Sequence, residues 1–416
     1  MRSRHHILGE SRNSILWLLA LLPALFAVQS AAAQTAPGWV FIELYPFNSA
    51  PINLEDGAWP EAAVVRDAAS NLYGTTFFGG TRTGCDIFVG GCGTVFQLDP
   101  SGKEKVLHSF GGAHDGWNPT ASLTLDAVGN LYGTTPYGGA HGYGVVFRVD
   151  AAGNETILHS FAGGSDGANP NAALVQDAAG NLYGTTRYGG RGCNCQGCGT
   201  VFKISPSGQE RILHRFRDGA DGASPLGSVA VDSSGNVYGT SWLGGIFNYG
   251  TVFRIDASGQ GKVLHHFTAG SDGANPIGGV ILDQAGNLYG TASAAGASHL
   301  GTIFTVNSAG SESTLYTFTG GPDGAYPYSN LILDASGNLY GTTAQAGSTS
   351  AGSVFELSGG TLTVLYDFAG TTGPTGDGAN PMGGLTMDEA GNLYGTAVQQ
   401  GTYGWGAVFE LQRNMQ

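Results

Sequence analysis

Charge is scarce in this chain: only 12% of its 416 residues are Asp, Glu, Lys or Arg. Long helices cover their solvent face with such residues, so an all-helical fold is disfavoured. Basic residues are the scarcer kind, 17 against 31 acidic, for a formal net charge of −14. That balance opposes attraction to phosphate backbones and anionic lipid surfaces, and nucleic acid is not expected as a partner. Beyond the first thirty residues there is no apolar run long enough to span a bilayer. A His-Glu-x-x-His metal motif and a phosphate loop are missing as well. Acidic residues are not grouped in the Asp-x-Asp-x-Asp pattern of a calcium loop, so neither a metal nor another cofactor is expected.

Glycine is the abundant residue, with 71 copies, while hydrophobic residues still make up 41%. There is enough apolar material for a core, so the chain is not of the disordered class. At the N-terminus Arg2, Arg4 and Arg12 precede an apolar stretch from Ile15 to Val28, and small residues follow to Ala31-Ala32-Ala33. This is the pattern of a cleaved secretory signal, expected to span 1–33, with an uncleaved anchor as the alternative. The mature protein is therefore expected to be secreted or periplasmic, monomeric and without an integral membrane segment.

Self-similarity decides the fold. Asn-Leu-Tyr-Gly-Thr begins at Asn71, Asn130, Asn181, Asn287, Asn338 and Asn392, and Asn236 opens the variant with Val. An Asp-Gly pair precedes each copy, from Asp56 to Asp377, and an apolar-Phe pair follows each, from Phe96 to Phe409. Successive Asn positions differ by 59, 51, 55, 51, 51 and 54, so the base period is 51. Within one period the spacing predicts four short strands: A at Ala173 to Gln176, B at Leu182 to Thr186, C at Thr200 to Ile204 and D at Arg211 to Phe216. Asp-x-x-Gly turns join A to B and C to D, which makes each repeat an antiparallel meander.

Seven such meanders predict an all-β, seven-bladed β-propeller of four-stranded antiparallel blades over 34–416. The repeats fall at about 60–110, 119–161, 170–216, 225–267, 276–318, 327–368 and 381–411 plus 40–47. Phe41 to Phe47 aligns with strand D, while the last repeat stops after strand C at Leu411. The N-terminal strand is thus expected to close the ring by pairing with the last blade, removing exposed edges. A linear β-solenoid is the alternative.

Strand parity puts the A to B and C to D turns on one face and the B to C and D to A loops on the other. Only the second face varies: its B to C loop has eight residues in five repeats, sixteen from Phe77 to Cys92 and twelve from Arg187 to Cys198. Variable loops on a fixed scaffold are the usual place for recognition, so function is assigned to that face. Blades one to four carry an aromatic there (Phe78, Tyr137, Tyr188, Trp242), and Trp59, Trp117 and Tyr143 add rings. Flat rings among glycines suit stacking on sugars or clamping a peptide, and the competing role is packing of loops. His108, His159, His214 and His265 alternate with Tyr45, Tyr316 and Tyr366 at one strand D position, which suits a hydrogen bond within the blade better than a general base. The Asp-Gly aspartates are expected to cap their own loops.

All five cysteines lie in the two longest loops: Cys85 and Cys92, then Cys193, Cys195 and Cys198. Loop stapling is expected, Cys85 with Cys92 and Cys193 or Cys195 with Cys198, leaving one thiol. A soft metal at the second cluster is the alternative, and it lacks a fourth local ligand.

The block Asp177 to Thr186, with its Gly-rich loop and Gly199-Thr200-Val201-Phe202, resembles the GloVer tandem repeat of bacterial exported choice-of-anchor proteins. The resemblance covers 39–411 and implies export and a propeller-like repeat, but no assigned activity. The five residues after Leu411 hold no anchor of that family, so attachment to the cell surface is not among the expectations. The expectation is an exported scaffold that binds polysaccharide or a cell-surface protein through the loop face. The alternative is a glycan-cleaving hydrolase or lyase with a carboxylate on that face.

Overall fold

The computed structural model describes residues 34–48, 55–82, 85, 90–112, 114–190, 198–371 and 376–414. The export segment expected at 1–33 lies outside them.

Seven four-stranded antiparallel meanders follow one another around a ring, with strand A innermost and strand D outermost. Blade three runs Val175–Gln176, Leu182–Thr186, Thr200–Ile204 and Glu210–Arg215. Strands B and C match the expected bounds. Strand A is shorter than expected, because the residues ahead of it contact the neighbouring blade: the carbonyl of Ala172 accepts the Thr134 hydroxyl of blade two. Blades one, two, four, five and six occupy 65–109, 124–160, 230–266, 280–317 and 332–367 in the same order.

The repeated motif explains itself residue by residue. In blade three Asp177 accepts the Asn181 amide and the Tyr183 hydroxyl, which ties the A to B hairpin, and all seven repeats do the same. Leu182 is buried. A Cβ on Gly184 would lie 2.6 Å from the ring tip of Phe202, so only glycine lets the strand C phenylalanine cross strand B.

The threonine then joins blades. Thr75, Thr134, Thr185, Thr240, Thr291, Thr342 and Thr396 donate to Ala121, Ala172, Gly227, Gly278, Ser329, Gly383 and Ala62, each a carbonyl at the start of the next blade. Seven phenylalanines after strand D add the second seam. Each packs edge-on against the strand C phenylalanine of the next blade, as Phe216 does against Phe253 at 5.1 Å. The partners of the closing pair are Phe47 and Phe96, at 5.2 Å.

Closure takes the expected form. Trp39–Pro46 supplies the outer strand of blade seven, pairing antiparallel with Ala407–Arg413 beyond Leu393–Ala397 and Thr386–Met387. The structure adds a second tie. Gln34–Thr35 pairs with the outer strand of blade six, Thr361–Asp367, making that sheet five-stranded. The N-terminal segment therefore spans two adjacent blades.

One further regularity lies in strand D. Val95 faces His108 whereas its neighbour Phe96 faces Val106, so Leu107 is an extra residue, and the other six C to D ladders carry the same bulge. The bulge reverses side-chain parity and turns His108 away from the face of Val106.

Candidate functional site at the channel mouth

The histidines and aspartates of the repeat are used between strand D and its own loop. His108, His159, His214 and His265 reach Asp115, Asp166, Asp221 and Asp272 at 3.1 to 3.2 Å, and Tyr45, Tyr316 and Tyr366 reach Asp56, Asp323 and Asp377. Each aspartate also accepts a backbone N–H from its loop, as Asp115 does from Gly111 and Gly116. A glutamate from the following blade completes some of these contacts. Glu155 lies 3.7 Å from His108, so His108, Asp115 and Glu155 form a compact group able to hold a metal ion. Arg82 stands 3.8 Å from Asp115, and two further blade interfaces carry the same residue types, which marks the group as part of the repeat. Burial, then the charge of Asp115, pushes the Glu155 carboxyl up to about 8.

On the loop face every blade carries a small ladder between its two loops. Ala58 faces Phe78 and Trp117 faces Tyr137, while Ala168, Ala223, Ala274, Ala325 and Ala379 face Tyr188, Leu243, Ala294, Gln345 and Gln399. The residue after this ladder has a left-handed backbone in all seven copies. It is Asn in four, and its side chain donates to the preceding blade: Asn118 to Phe77, Asn169 to Pro136, Asn275 to Trp242 and Asn380 to Ala344. Trp59 and Tyr326 hold that conformation at φ 56° and 57° without the amide. Bulky residues rarely do so.

Proline follows, and the residue after it enters the innermost strand. These seven positions are Glu61, Thr120, Asn171, Leu226, Ile277, Tyr328 and Met382. They rim the axial opening on the loop side, because the next residues already form the inner seam. Deeper in, Asn330 of blade six reaches past blade five, its side-chain amide donating to Ser228 of blade four at 2.6 Å while its carbonyl oxygen accepts from Gly279. The rim is lopsided: blades one to three give a carboxyl, a hydroxyl and an amide, and blades four to seven give Leu, Ile, Tyr and Met, of which only Tyr328 carries a polar atom.

Glu61 is the one carboxyl among the seven. Burial pushes its carboxyl up to about 7. The Tyr137 hydroxyl is raised by burial, opposed by Arg187 and reinforced by Tyr188 and Glu61, so four side chains from blades one, two and three act on one another here. The Arg187 guanidinium lies 4.8 Å from the ring centre of Tyr188 and 5.6 Å from that of Trp242 in the next blade. Among the described residues no carboxylate is within ion-pair distance of it, and its Nε has no hydrogen-bond partner. Trp117 Nε1 and Thr120 Oγ1 are likewise buried and unpartnered. Eight other buried atoms of the described residues, Arg148 Nε and Arg254 Nε among them, also lack a partner, so these three mark the place only together with the rings beside them.

Of the aromatics expected on this face, Tyr137, Tyr188 and Trp242 meet around Arg187, and Trp117 stands across the ladder from Tyr137. Trp59 and Phe78 pair with each other at 5.1 Å, with Phe77 against Phe78 at 4.7 Å. Tyr143 is 46% exposed and lies over Gly163, just beyond the outermost strand. Glu61, Thr120 and Arg187 escaped a search for rings and motifs. Comparison of the seven copies at the position after proline would have found Glu61.

Cys85 and Cys92 form the expected disulfide, and Cys198 is disulfide-bonded as well. Cys193 and Cys195 lie outside the described residues. The segment Gly163-Gly164-Ser165-Asp166-Gly167 has the Gly-x-Ser-x-Gly spacing, but no helix follows it and the nearby His159 is held by Asp166, so it lacks the setting of a nucleophile elbow.

The family model of the Gloeobacter/Verrucomicrobia repeat matches residues 30–194, 88–282 and 247–416. The chain belongs to the Gloeobacter/Verrucomicrobia repeat family. No curated protein matches this member of the family. Among solved structures, the extracellular domain of a provisionally assigned one-component system from B. thetaiotaomicron is similar at 10% identity and TM-score 0.56. That match covers 87% of this chain and 39% of the other, and it shows the fold alone. A protein provisionally assigned as a gluconolactonase is 14% identical over 91% of this chain and 94% of its own, with TM-score 0.45. One from Bacteroides uniformis, provisionally assigned as a 6-phosphogluconolactonase, is 16% identical over 73% and 84%, with TM-score 0.49. Both are too distant to carry an argument. Among the described residues of this repeat protein no helix is long and apolar enough to cross a membrane.

Proposed function

We propose that this propeller is an exported binding module that takes a polysaccharide across the loop-side mouth of its axial opening, in blades one to four. The observation that carries this reading is the cluster of Tyr137, Tyr188 and Trp242 around a guanidinium with no carboxylate partner, beside buried polar atoms that lack partners. Aromatic surfaces with a few convergent polar groups are what glycan sites require. The basic, then apolar, N-terminal segment and the Cys85–Cys92 disulfide support an oxidising compartment outside the cytoplasm. A glycan array followed by calorimetry on the purified protein tests the reading. Binding that falls on replacing Tyr137 or Tyr188 by Ala, with little change in melting temperature, supports it; a silent array refutes it.

Glu61 keeps a second reading in play, glycan cleavage by a hydrolase or lyase. A carboxyl pushed up to about 7 has the proton affinity of a general acid. Hydrolases flank the scissile bond with two carboxyl groups about 5 to 9 Å apart. Glu61 is alone on the rim, which favours binding. Release of reducing ends or unsaturated products from a glycan that binds would reverse that preference.

A further inference from the structure

A guanidinium clasped by two rings is shielded from water on its faces and open along its edge. Arg187 has the rings of Tyr188 and Trp242 within cation–π distance, with Nε buried and the residue as a whole partly exposed. Among the described arginines only Arg82 lies within ion-pair distance of a carboxylate, so Arg187 shares its unpaired charge with the rest and is set apart by having two rings against it. Aromatic faces strengthen what the edge can do, since a partly desolvated cation attracts an anion more than a hydrated one does. The guanidinium edge is planar and two-pronged, and so is a carboxylate, whereas a sulfate ester is tetrahedral. Glu61 on the rim, its carboxyl pushed up to about 7 by burial, is only about half ionised at neutrality and so repels an anion less than an ordinary carboxylate does. Thr120 Oγ1 and Trp117 Nε1, buried without partners, supply further hydrogen-bonding groups for hydroxyls on the same ligand.

We infer that the mouth is built for an acidic polysaccharide, a glycan whose sugar rings carry carboxylates, with one carboxylate seated on the edge of Arg187. The inference rests on the glycan-binding reading above and narrows it to uronate-containing chains. Arg187 sets the preference for charge, and Tyr137 and Trp117 carry the contact with the sugar itself.

The test is calorimetry of the whole protein with oligomers of galacturonate and of mannuronate, their carboxyl-reduced counterparts, and a sulfated neutral glycan. The acidic forms are expected to bind about ten-fold tighter than the reduced forms, the size of one charge-assisted hydrogen-bond pair. Arg187→Gln is expected to abolish that difference, and Arg187→Lys, which keeps charge but loses the fork, to restore only part of it. Equal affinity for acidic and reduced forms overturns the inference while the glycan reading stands. Tighter binding of the sulfated glycan overturns it too, and failure of every glycan to bind overturns both. The comparison of acidic with reduced forms needs only the unmodified protein, so it decides the matter even if the variants do not fold.

Discussion

The Thr396 hydroxyl donates to the carbonyl of Ala62 at 2.9 Å, across 334 positions of chain. Six other threonines make the same bond to a blade that follows them directly in sequence, while this one joins the last blade to the first. Thr396→Val keeps the shape and removes the donor, leaving a buried carbonyl unpaired. Such losses cost about 1–3 kcal/mol. Urea unfolding should show a lower midpoint than for the wild type, and an unchanged midpoint would mean that the seam contributes nothing at the closure.

Removal of residues 34–46 takes away the outer strand of blade seven and the fifth strand of blade six together. The edge of Ala407–Arg413 would then be bare, and bare edges recruit other chains. The shortened protein should unfold at lower temperature and associate as its concentration rises, measured by light scattering. A monomer that unfolds like the parent would contradict closure by this segment.

Stability should peak in mildly acid solution. The hairpin aspartates, Asp67 and its six counterparts, are raised by burial but lowered more by hydrogen bonds from Asn and Tyr, so each ends below the usual range. Their contribution is present above the unfolded value of 3.8 and is lost as pH falls through the folded one. Glu104 and Glu155 are pushed up by burial and by Asp56 and Asp115, to about 7 and about 8. Their contribution is complete below the unfolded value of 4.5 and is lost as pH rises through 7 to 8. The melting temperature should therefore be highest near pH 4 to 4.5, decline as pH rises through about 7 to 8, and gain nothing beyond. Glu155→Gln should lessen that decline, and a melting temperature still climbing at pH 9 would refute the argument.

Thiol titration of the unreduced, unfolded chain should find one free cysteine of the five. Cys85, Cys92 and Cys198 are already bonded. Five reactive thiols would remove the chemical support for export.

Sugar affinity should fall about ten-fold or more in Tyr137→Ala and Trp117→Ala, since a stacking ring commonly contributes on the order of 1 kcal/mol beyond its buried area. Tyr143→Ala, outside the outermost strand, should lose less. Equal losses at all three would place the ligand across the whole loop face.

The fold was legible because residues such as Asn181, Tyr183, Gly184 and Thr185 each serve a contact internal to the repeat or to its seam, and seven copies repeat the message. The strand D bulge at Leu107 was not legible: an extra residue present in every copy leaves no difference to notice, and strict alternation places His108 on the wrong side. Stacking rings were sought in the loops, and Tyr137, Tyr188 and Trp242 do meet there. Glu61 was passed over because the tract after proline looks like framework. Function was expected where copies diverge, and the rim position, which varies from Glu to Thr, Asn, Leu, Ile, Tyr and Met, is such a place.

The innermost turns of blades four and five approach so closely that a Cβ on Gly279 would fall 2.0 Å from the carbonyl oxygen of Ser228, and one on Gly227 would fall 2.4 Å from the Gly279 nitrogen. Blades one to three carry Ala62, Ala121 and Ala172 in the place of Gly227, whereas blade seven carries Gly383, whose Cβ would fall 2.7 Å from the carbonyl carbon of Ala62. Main chains can touch at this inner level only where a glycine removes the side chain, so a molecule built from near-identical copies meets its own axis on unequal terms.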